Sequence, residues 1–241
     1  MAKQTLLQML NKVLSNLGES QITVTTSLSG LSLLAFNSLN EFLYDVAFKD
    51  RFTPLECDGS MTLLSGTATY TKPTDLFAFD KDSFRYNDNT EVVFYTPQRF
   101  DREYKAQTDS GEPNKIYQWA EYWKPYPIPN LTANSKTIKY RYWKNPVIYS
   151  TATATGTSWI PEGFDITLLA DYVTYKIMHY KENAQAPIYY AKVYGDGREN
   201  EGSLALLKSL FRSPQIADGS IFVEPMENTE SNGSARSIQG Y

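Results

Sequence analysis

Hydrophobic positions near the start of the chain repeat with the period of an α-helix. Leucine and valine recur every three or four positions over residues 3–17, and Gly18 follows as a stop signal, so the pattern predicts a first amphipathic helix. A second helix is predicted from Ser29, a candidate N-cap, to about Asp50. Pro54 prevents much continuation of that helix, because proline lacks the backbone N–H and clashes with the preceding turn.

The helical period disappears between Gly59 and about Ser150. Short β-branched and aromatic runs separated by turn residues replace it, which predicts an antiparallel β-domain of about five to seven strands. Residues 138–143 alternate, so Lys139 and Arg141 are expected on one face of a strand and the intervening tyrosines on the other. The runs that predict strands are MTLLSGTATY, LFAF, EVVFYT, KIYQWAEYW and TIKYRYW.

Helical periodicity returns after residue 158. A strong amphipathic pattern predicts a helix over about 164–183, and a last helical segment is predicted from Pro187 to Phe211. Three glycines lie inside that last segment and cost about 1 kcal/mol each relative to alanine, which permits a break. We favour a continuous helix completed by packing. Residues 213–241 form a polar tail.

Together these patterns predict an α+β fold. Terminal helices without cores of their own are expected to pack on each other as one helical bundle, formed by residues 1–58 and 151–212. The β-domain, residues 59–150, is inserted into this bundle, and residues 213–241 extend from it as a C-terminal tail.

Composition narrows the possible functions. The chain has 241 residues and a net charge of −4, so no overall positive field attracts nucleic acid. One cysteine and one histidine exclude an intrachain disulfide, a cysteine cluster and zinc sites rich in histidine. Aromatic residues are in excess, with 18 tyrosines, 12 phenylalanines and 4 tryptophans, and tyrosine is typical of interfaces.

Candidate chemical groups have structural interpretations that we prefer. His179 lies late in an amphipathic helix, and a general base would need a nucleophile and an orienting carboxylate beside it. Gly195-Asp-Gly197 lacks a preceding strand and the spacing of phosphate loops. A glycosidase needs two carboxylates facing each other across about 5–10 Å, and the acidic residues are expected to be solvated surface groups instead. These acids are Glu91, Asp101, Glu103, Asp109, Glu112 and Glu121. We therefore expect no catalytic, cofactor-binding or metal-binding residue.

The sequence also bears on location. No apolar run approaches the roughly 20 residues of a membrane span, and the first helix is amphipathic, unlike a signal peptide. We expect a protein made in a reducing cytosol, with no membrane partner.

Several short motifs occur in an order that resembles the tailed-bacteriophage head-to-tail adaptor family, including the tail tubular and head-completion proteins of short-tailed phages. They cover about residues 3–212. In chain order they are Leu17-Gly18-Glu19, Leu39-Asn40-Glu41-Phe42 with Arg51-Phe52-Thr-Pro-Leu55, Gly66-Thr-Ala-Thr-Tyr70-Thr-Lys-Pro73-Thr-Asp75, Thr96-Pro-Gln-Arg-Phe100-Asp101, Gly111-Glu-Pro113-Asn-Lys-Ile-Tyr117, Pro127-Ile-Pro129 with Ile138–Trp143 and Pro146, and Ile160-Pro161-Glu162-Gly163-Phe164.

The resemblance implies a structural virion protein made in the host cytoplasm. It implies a ring, usually of twelve copies, at the portal vertex between the portal protein and a tail nozzle or tube protein. Phage DNA would pass through the ring without sequence-specific binding. The family's role needs no catalytic residue. The alternative function is that of a carbohydrate-binding tail or surface module. A small glycoside-processing enzyme is the third hypothesis.

A set of apolar and aromatic residues near the C-terminus is expected to contact partners. The acidic tail has too little apolar area to fold alone, so we expect it to become ordered on the portal or a neighbouring subunit, with residues 221–223 as its anchor. The predicted partner interface consists of Tyr189, Tyr190, Phe211, Ile221, Phe222 and Val223.

Overall fold

The computed structural model describes residues 3–104, 108–152, 155–197, 201–212 and 221–222. It combines six α-helices with antiparallel and mixed sheets in this part of the chain, which confirms the α+β class. The boundaries of the β-domain at residues 59 and 150 stay a prediction.

The two N-terminal helices begin at residues that cap them. Helix α1 spans Leu6–Asn16, and the Thr5 side chain accepts a hydrogen bond from the Gln8 backbone N–H while the Gln8 side chain accepts one from the Thr5 N–H. Helix α2 spans Gly30–Lys49 between Ser29 and Asp50, as the sequence predicts. A short 3₁₀ turn, Thr53–Leu55, then leads into the first strand.

The C-terminal helices are shorter than predicted. A π-helical turn, Asp165–Ala170, precedes α4, Asp171–Tyr180, and α5 follows at Ala186–Tyr194. Helix α6 starts at Gly202 and ends at Phe211, so the continuous helix from Pro187 to Phe211 is wrong. Gly195, Gly197 and Gly202 all have positive φ, and this left-handed backbone cannot continue a right-handed helix.

The helices from both ends share one hydrophobic core. Leucine and valine side chains of α1 and α2 pack against the π-helical turn, α4, α5 and α6, and Trp159 donates a hydrogen bond from Nε1 to the Leu43 carbonyl at 3.2 Å. Fully buried members of this core include Leu6, Met9, Leu10, Leu39, Leu43, Leu168, Val173, Val193 and Leu207.

The strands form three sheets in the described part of the chain. The largest has the order β1-β10-β3-β11 with β4 also paired to β10, the second has the order β2-β8-β7-β5, and β6 pairs with β9. The strands are β1 Glu56–Thr62, β2 Tyr70–Thr71, β3 Leu76–Asp80, β4 Arg85–Tyr86, β5 Val93–Tyr95, β6 Ser110–Gly111, β7 Lys115–Trp119, β8 Tyr122–Tyr126, β9 Ile128–Pro129, β10 Thr137–Lys144 and β11 Ile221–Phe222.

Three features of this region differ from the prediction. Ten strands, β1 to β10, replace the predicted five to seven, because four of them pair over only two residues. A helix, α3 (Pro97–Glu103), follows β5, with Thr96 as its N-cap and Pro97 in its first turn. Strand pairs β5–β7 and β6–β9 are parallel, so the β-domain is not wholly antiparallel. Parallel neighbours require a crossover connection, and α3 lies within the connection from β5 to β7.

Strand β10 links the helical core to a second core between the sheets. Ile138, Tyr140 and Tyr142 are buried in the second core and alternate with exposed Lys139 and Arg141, as predicted. The alternation fails at Trp143, which is buried in the helical core. Successive side chains of a strand point to opposite faces, so Tyr142 enters the second core while Trp143, on the face of Lys139 and Arg141, is covered by the helical core.

Six buried aromatic residues lie in the second core. Phe84 lies close to Trp123 and stacks on Tyr140, with ring centroids 5.2 and 5.0 Å apart. Trp123 and the three aromatic residues of β10, Tyr140, Tyr142 and Trp143, are buried. Trp119 differs, because 51% of it is exposed at the end of β7.

Candidate functional site

The helices α4 and α5 carry a cluster of partly exposed aromatic side chains. We call Tyr175, His179, Tyr190 and Tyr194 the α4–α5 aromatic surface. The Tyr175 ring lies 5.7 Å from the His179 ring, 5.2 Å from Tyr190 and 6.3 Å from Tyr194, measured between centroids. Tyr190 and Tyr194 are 4.8 Å apart, and 45% and 41% of these two residues are exposed.

Helical spacing produces this cluster. Tyr175 and His179 are four residues apart on α4, and Tyr190 and Tyr194 are four residues apart on α5, so each pair stacks along one face of its helix. None of the buried positions of the same helices is aromatic; Ile177 and Val193 are examples. The aromatic rings therefore lie outside the core, on a face that remains accessible.

A cavity adjoins the aromatic surface at the turn between α4 and α5. Its volume is about 510 Å³, and Glu182, Asn183 and Pro187 line it together with the rings of Tyr175 and Tyr190. Partial burial, together with neighbouring tyrosines, raises the pKa of Tyr194 to about 12. Its hydroxyl is therefore protonated at neutral pH and can donate a hydrogen bond.

A second exposed aromatic pair lies on α2. Tyr44 and Phe48 stack four residues apart with centroids 5.9 Å apart, and both are exposed. Helix α2 connects to α4 through the Lys176–Glu41 ion pair. Sequence reasoning missed Tyr44, Phe48, Tyr175 and Tyr194, although their four-residue aromatic spacing is a readable signal.

The predicted partner residues fall into two places. Tyr190 belongs to the aromatic surface, and Tyr189 beside it is half-buried with the Lys192 ammonium 4.5 Å above its ring. Phe211 is half-buried at the end of α6 and packs edge-on against Phe164, 5.9 Å away.

The remaining predicted residues belong to the C-terminal tail. The backbone of Ile221 and Phe222 forms β11, which pairs antiparallel with β3 of the same chain. Val223 lies outside the described residues. The structure therefore brings 221–222 to the edge of the largest sheet.

The residues considered for catalysis are engaged in other contacts. His179 is exposed and stacks on Tyr175. Glu103 pairs with Arg99 at 2.9 Å and Glu112 with Lys136 at 2.6 Å. These carboxylates thus have separate cationic partners.

Asp109 and Arg141 also have local partners. Asp109 accepts a hydrogen bond from the Tyr126 hydroxyl, and this bond is the main reason that the pKa of Tyr126 rises to about 12. Arg141 pairs with Glu56 at 3.0 Å on the exposed face of β10. Charge and stacking surface are therefore separated on this strand.

Two further observations concern metals and membranes. Among the residues that the structure describes, no group of three or more histidine, cysteine, aspartate or glutamate side chains is arranged to hold a metal ion. Within the same part of the chain, every helix is too short or too polar to cross a bilayer.

Comparison with known proteins identifies the family. A search of curated proteins found none with significant similarity. The family model described as SU10 adaptor protein matches residues 4–209, which is most of the chain. This is a family of phage head-to-tail adaptors, structural proteins that associate with portal and tail components at the head–tail interface of the virion. The chain belongs to the SU10 adaptor protein family.

Proposed function

We propose that this adaptor forms a ring, of about twelve copies by analogy with the family, between the portal and the tail of a phage. The ring continues the channel through which DNA leaves the capsid. The family match supports this role, and the chain needs no catalytic group for it. We propose that it is not an enzyme.

The distribution of exposed apolar side chains is the observation that favours this function. A ring subunit must bind two neighbours through different surfaces, and it must also contact components above and below. Ten large apolar or aromatic residues are exposed on helices α2, α4, α5 and α6, against three in the described strands. The helices therefore offer the surface that subunit contacts need.

The net negative charge fits passage of DNA. A lumen rich in lysine and arginine would hold the phosphate backbone, and each such contact adds to non-specific affinity. With a net charge of −4 the subunit has little tendency to retain DNA in transit. We propose that DNA passes without sequence-specific binding.

A matched pair of variants tests the role of the helical face. Ile188 on α5 is 58% exposed and Leu131, in the loop before β10, is 84% exposed. Ile188→Glu and Leu131→Glu each replace an exposed aliphatic side chain with one negative charge. Loss of a buried isoleucine costs about 1.5–3 kcal/mol, so we expect Ile188→Glu to weaken ring formation by roughly 10- to 100-fold. Leu131→Glu should assemble normally.

Native mass measurement gives the readout. Each protein is mixed with purified portal complex, and the mass of the product gives the number of bound copies. Rings that form equally well with both variants would show that this part of α5 is not an interface. A chain that stays monomeric with portal present would refute the ring itself.

One observation keeps a carbohydrate-binding role as the second candidate. Trp119 and Tyr122 are cross-strand neighbours at the β7–β8 turn, and both are exposed. Carbohydrate-binding proteins stack sugar rings on exposed aromatic side chains of this kind. Oligosaccharide binding that is lost in Trp119→Ala would support this alternative, and its absence would leave the adaptor role alone.

A further inference from the structure

We propose that the C-terminal strand is exchanged between subunits: in the assembled ring, the outer edge of β3 in each copy binds residues 221–222 of a neighbouring copy. This proposal rests on the ring proposed above. It assigns a binding site to β3 and a specific occupant to that site.

The receiving edge is identified by the observed pairing. Ile221 lies opposite Asp80 and Phe222 opposite Phe79, in antiparallel register. The other edge of β3 is paired with β10, so β11 occupies the outer edge of the sheet. An uncovered edge strand presents backbone groups that pair readily with another chain, and the tail covers this one.

The pairing is short and therefore reversible. Only two residues of β11 are in register with β3, and no strand in the described part of the chain pairs with Leu76, Phe77 or Ala78 on that side. Each backbone hydrogen bond contributes about 0.5–1.5 kcal/mol, while ordering a residue costs about 1–2 kcal/mol. A two-residue strand therefore opens easily and leaves the edge free for the same segment of another copy.

The chain leaves the helices close to β3. Arg212 at the end of α6 forms an isolated β-bridge with Phe52. Arg51 directly precedes Phe52 in the chain. Its guanidinium lies 4.4 Å from the centre of the Phe77 ring in β3. Asp80 is three residues further along that strand, which is about 10 Å. The end of α6 is thus linked to β3 through two adjacent residues, Phe52 and Arg51.

The connection between α6 and β11 is long. Eight residues, 213–220, separate Arg212 from β11. Fully extended, they reach about 30 Å. A connection of this length lets the tail reach the β3 edge of a copy that packs alongside.

Exchange keeps every contact of the closed subunit. Swapping an identical element between identical chains replaces one set of contacts by the same set, so the cost is low. Within a ring, tethering holds the neighbouring edge at a local concentration of about millimolar. The exchanged strand then links adjacent copies, which the closed form cannot do.

A photo-crosslinking experiment locates the strand. Phe222→p-benzoylphenylalanine keeps an aromatic side chain at the position that pairs with Phe79. Unlabelled variant is mixed with an equal amount of ¹⁵N-labelled natural chain, assembled on purified portal complex and irradiated, and the peptides crosslinked to β3 are weighed. Exchange predicts that about half of the crosslinked β3 peptides carry the label.

Other outcomes contradict the proposal. Crosslinks to unlabelled β3 alone mean that each tail stays on its own subunit. Crosslinks that do not reach β3 mean that β3 is not the receiving edge in the ring. The same mixture without portal should give unlabelled β3 only, and a probe at Tyr241, outside the pairing segment, should show no preference for β3.

Shortening the connection gives an independent test. Deletion of residues 215–218 reduces its maximum reach by about half, to about 16 Å, and so restricts exchange. Replacement of the same four residues by glycine and serine keeps the length and serves as the matched control. We expect the labelled fraction to fall at least five-fold in the deletion and to persist in the control.

Native mass measurement separates the two proposals. A portal-bound ring with unlabelled crosslinks refutes the exchange and leaves the ring intact. Absence of any ring refutes the proposed function, and the exchange with it.

Discussion

Replacing Gly202 by alanine should destabilise the corner between α5 and α6 through a contact that cannot relax. Gly202 has a φ of +76°, and an added Cβ would lie 2.5 Å from the Val193 carbonyl oxygen and 2.6 Å from the Tyr194 carbonyl carbon. Both neighbours are backbone atoms at the end of α5. They cannot rotate away as a side chain could, so the helix end itself would have to shift.

The magnitude follows from two separable costs. A left-handed backbone costs alanine about 1–2 kcal/mol relative to its preferred conformations. Overpacking against fixed atoms costs about 1–3 kcal/mol more. Gly197 has a similar φ of +75°, but an added Cβ there meets no atom within 4 Å. Gly197→Ala should therefore lose only the backbone cost, about 1–2 kcal/mol of stability. Gly202→Ala should lose both, about 2–5 kcal/mol of stability in total.

Urea unfolding followed by tryptophan fluorescence measures both losses, and hydrogen exchange at α5 and α6 detects a purely local opening. The difference between the two variants isolates the steric cost, because the backbone cost is common to both. Equal free energies of unfolding for the two variants, without faster exchange at α6 in Gly202→Ala, would refute the reasoning.

Two further predictions concern the sheet and the helices. Gly59→Ala should destabilise the protein by about 1–3 kcal/mol in urea unfolding, because its Cβ would overlap the buried Tyr140 ring. The control, Ser60→Ala on the exposed side of β1, should change the free energy of unfolding little. A wild-type unfolding midpoint for Gly59→Ala would contradict this prediction. Burial, with nearby α2 carboxylates, raises the pKa of Tyr172 to about 12, so its contribution to stability is complete below pH 10 and is lost as the pH rises toward 12. The free energy of unfolding should fall over that range and fall less in Tyr172→Phe; an equal slope in both proteins would show that Tyr172 is not responsible.

Local signals predicted the ends of the first two helices well. Ser29 begins α2 and Asp50 ends it, because capping and proline effects act within one helical turn. The alternation along β10 likewise identified its buried face correctly. Such features depend on neighbours in sequence, and the sequence shows those neighbours directly.

The incorrect predictions concern features that the local hydrophobic pattern does not determine. Helix α3 is only seven residues long, and its amphipathic pattern is too brief to be distinguished from a turn. Parallel pairing of β5 with β7 depends on the path of the chain between them. The break before α6 depends on the close approach of Gly202 to the end of α5, which periodicity does not reveal.

The division of residue types within α4 and α5 explains why the tyrosine excess points to an interface. The faces of these helices that enter the core carry aliphatic residues such as Val173, Ile177 and Val193, all of them buried. Tyr190 and Tyr194 lie beside that buried face and are partly exposed. A core that already excludes water through aliphatic packing gains nothing from these rings, whereas a partner gains large, stiff contact area and a hydroxyl that can still be hydrated. Part of the aromatic excess therefore fills the core between the sheets, and part lies exposed on the helices, where we propose that subunits make contact.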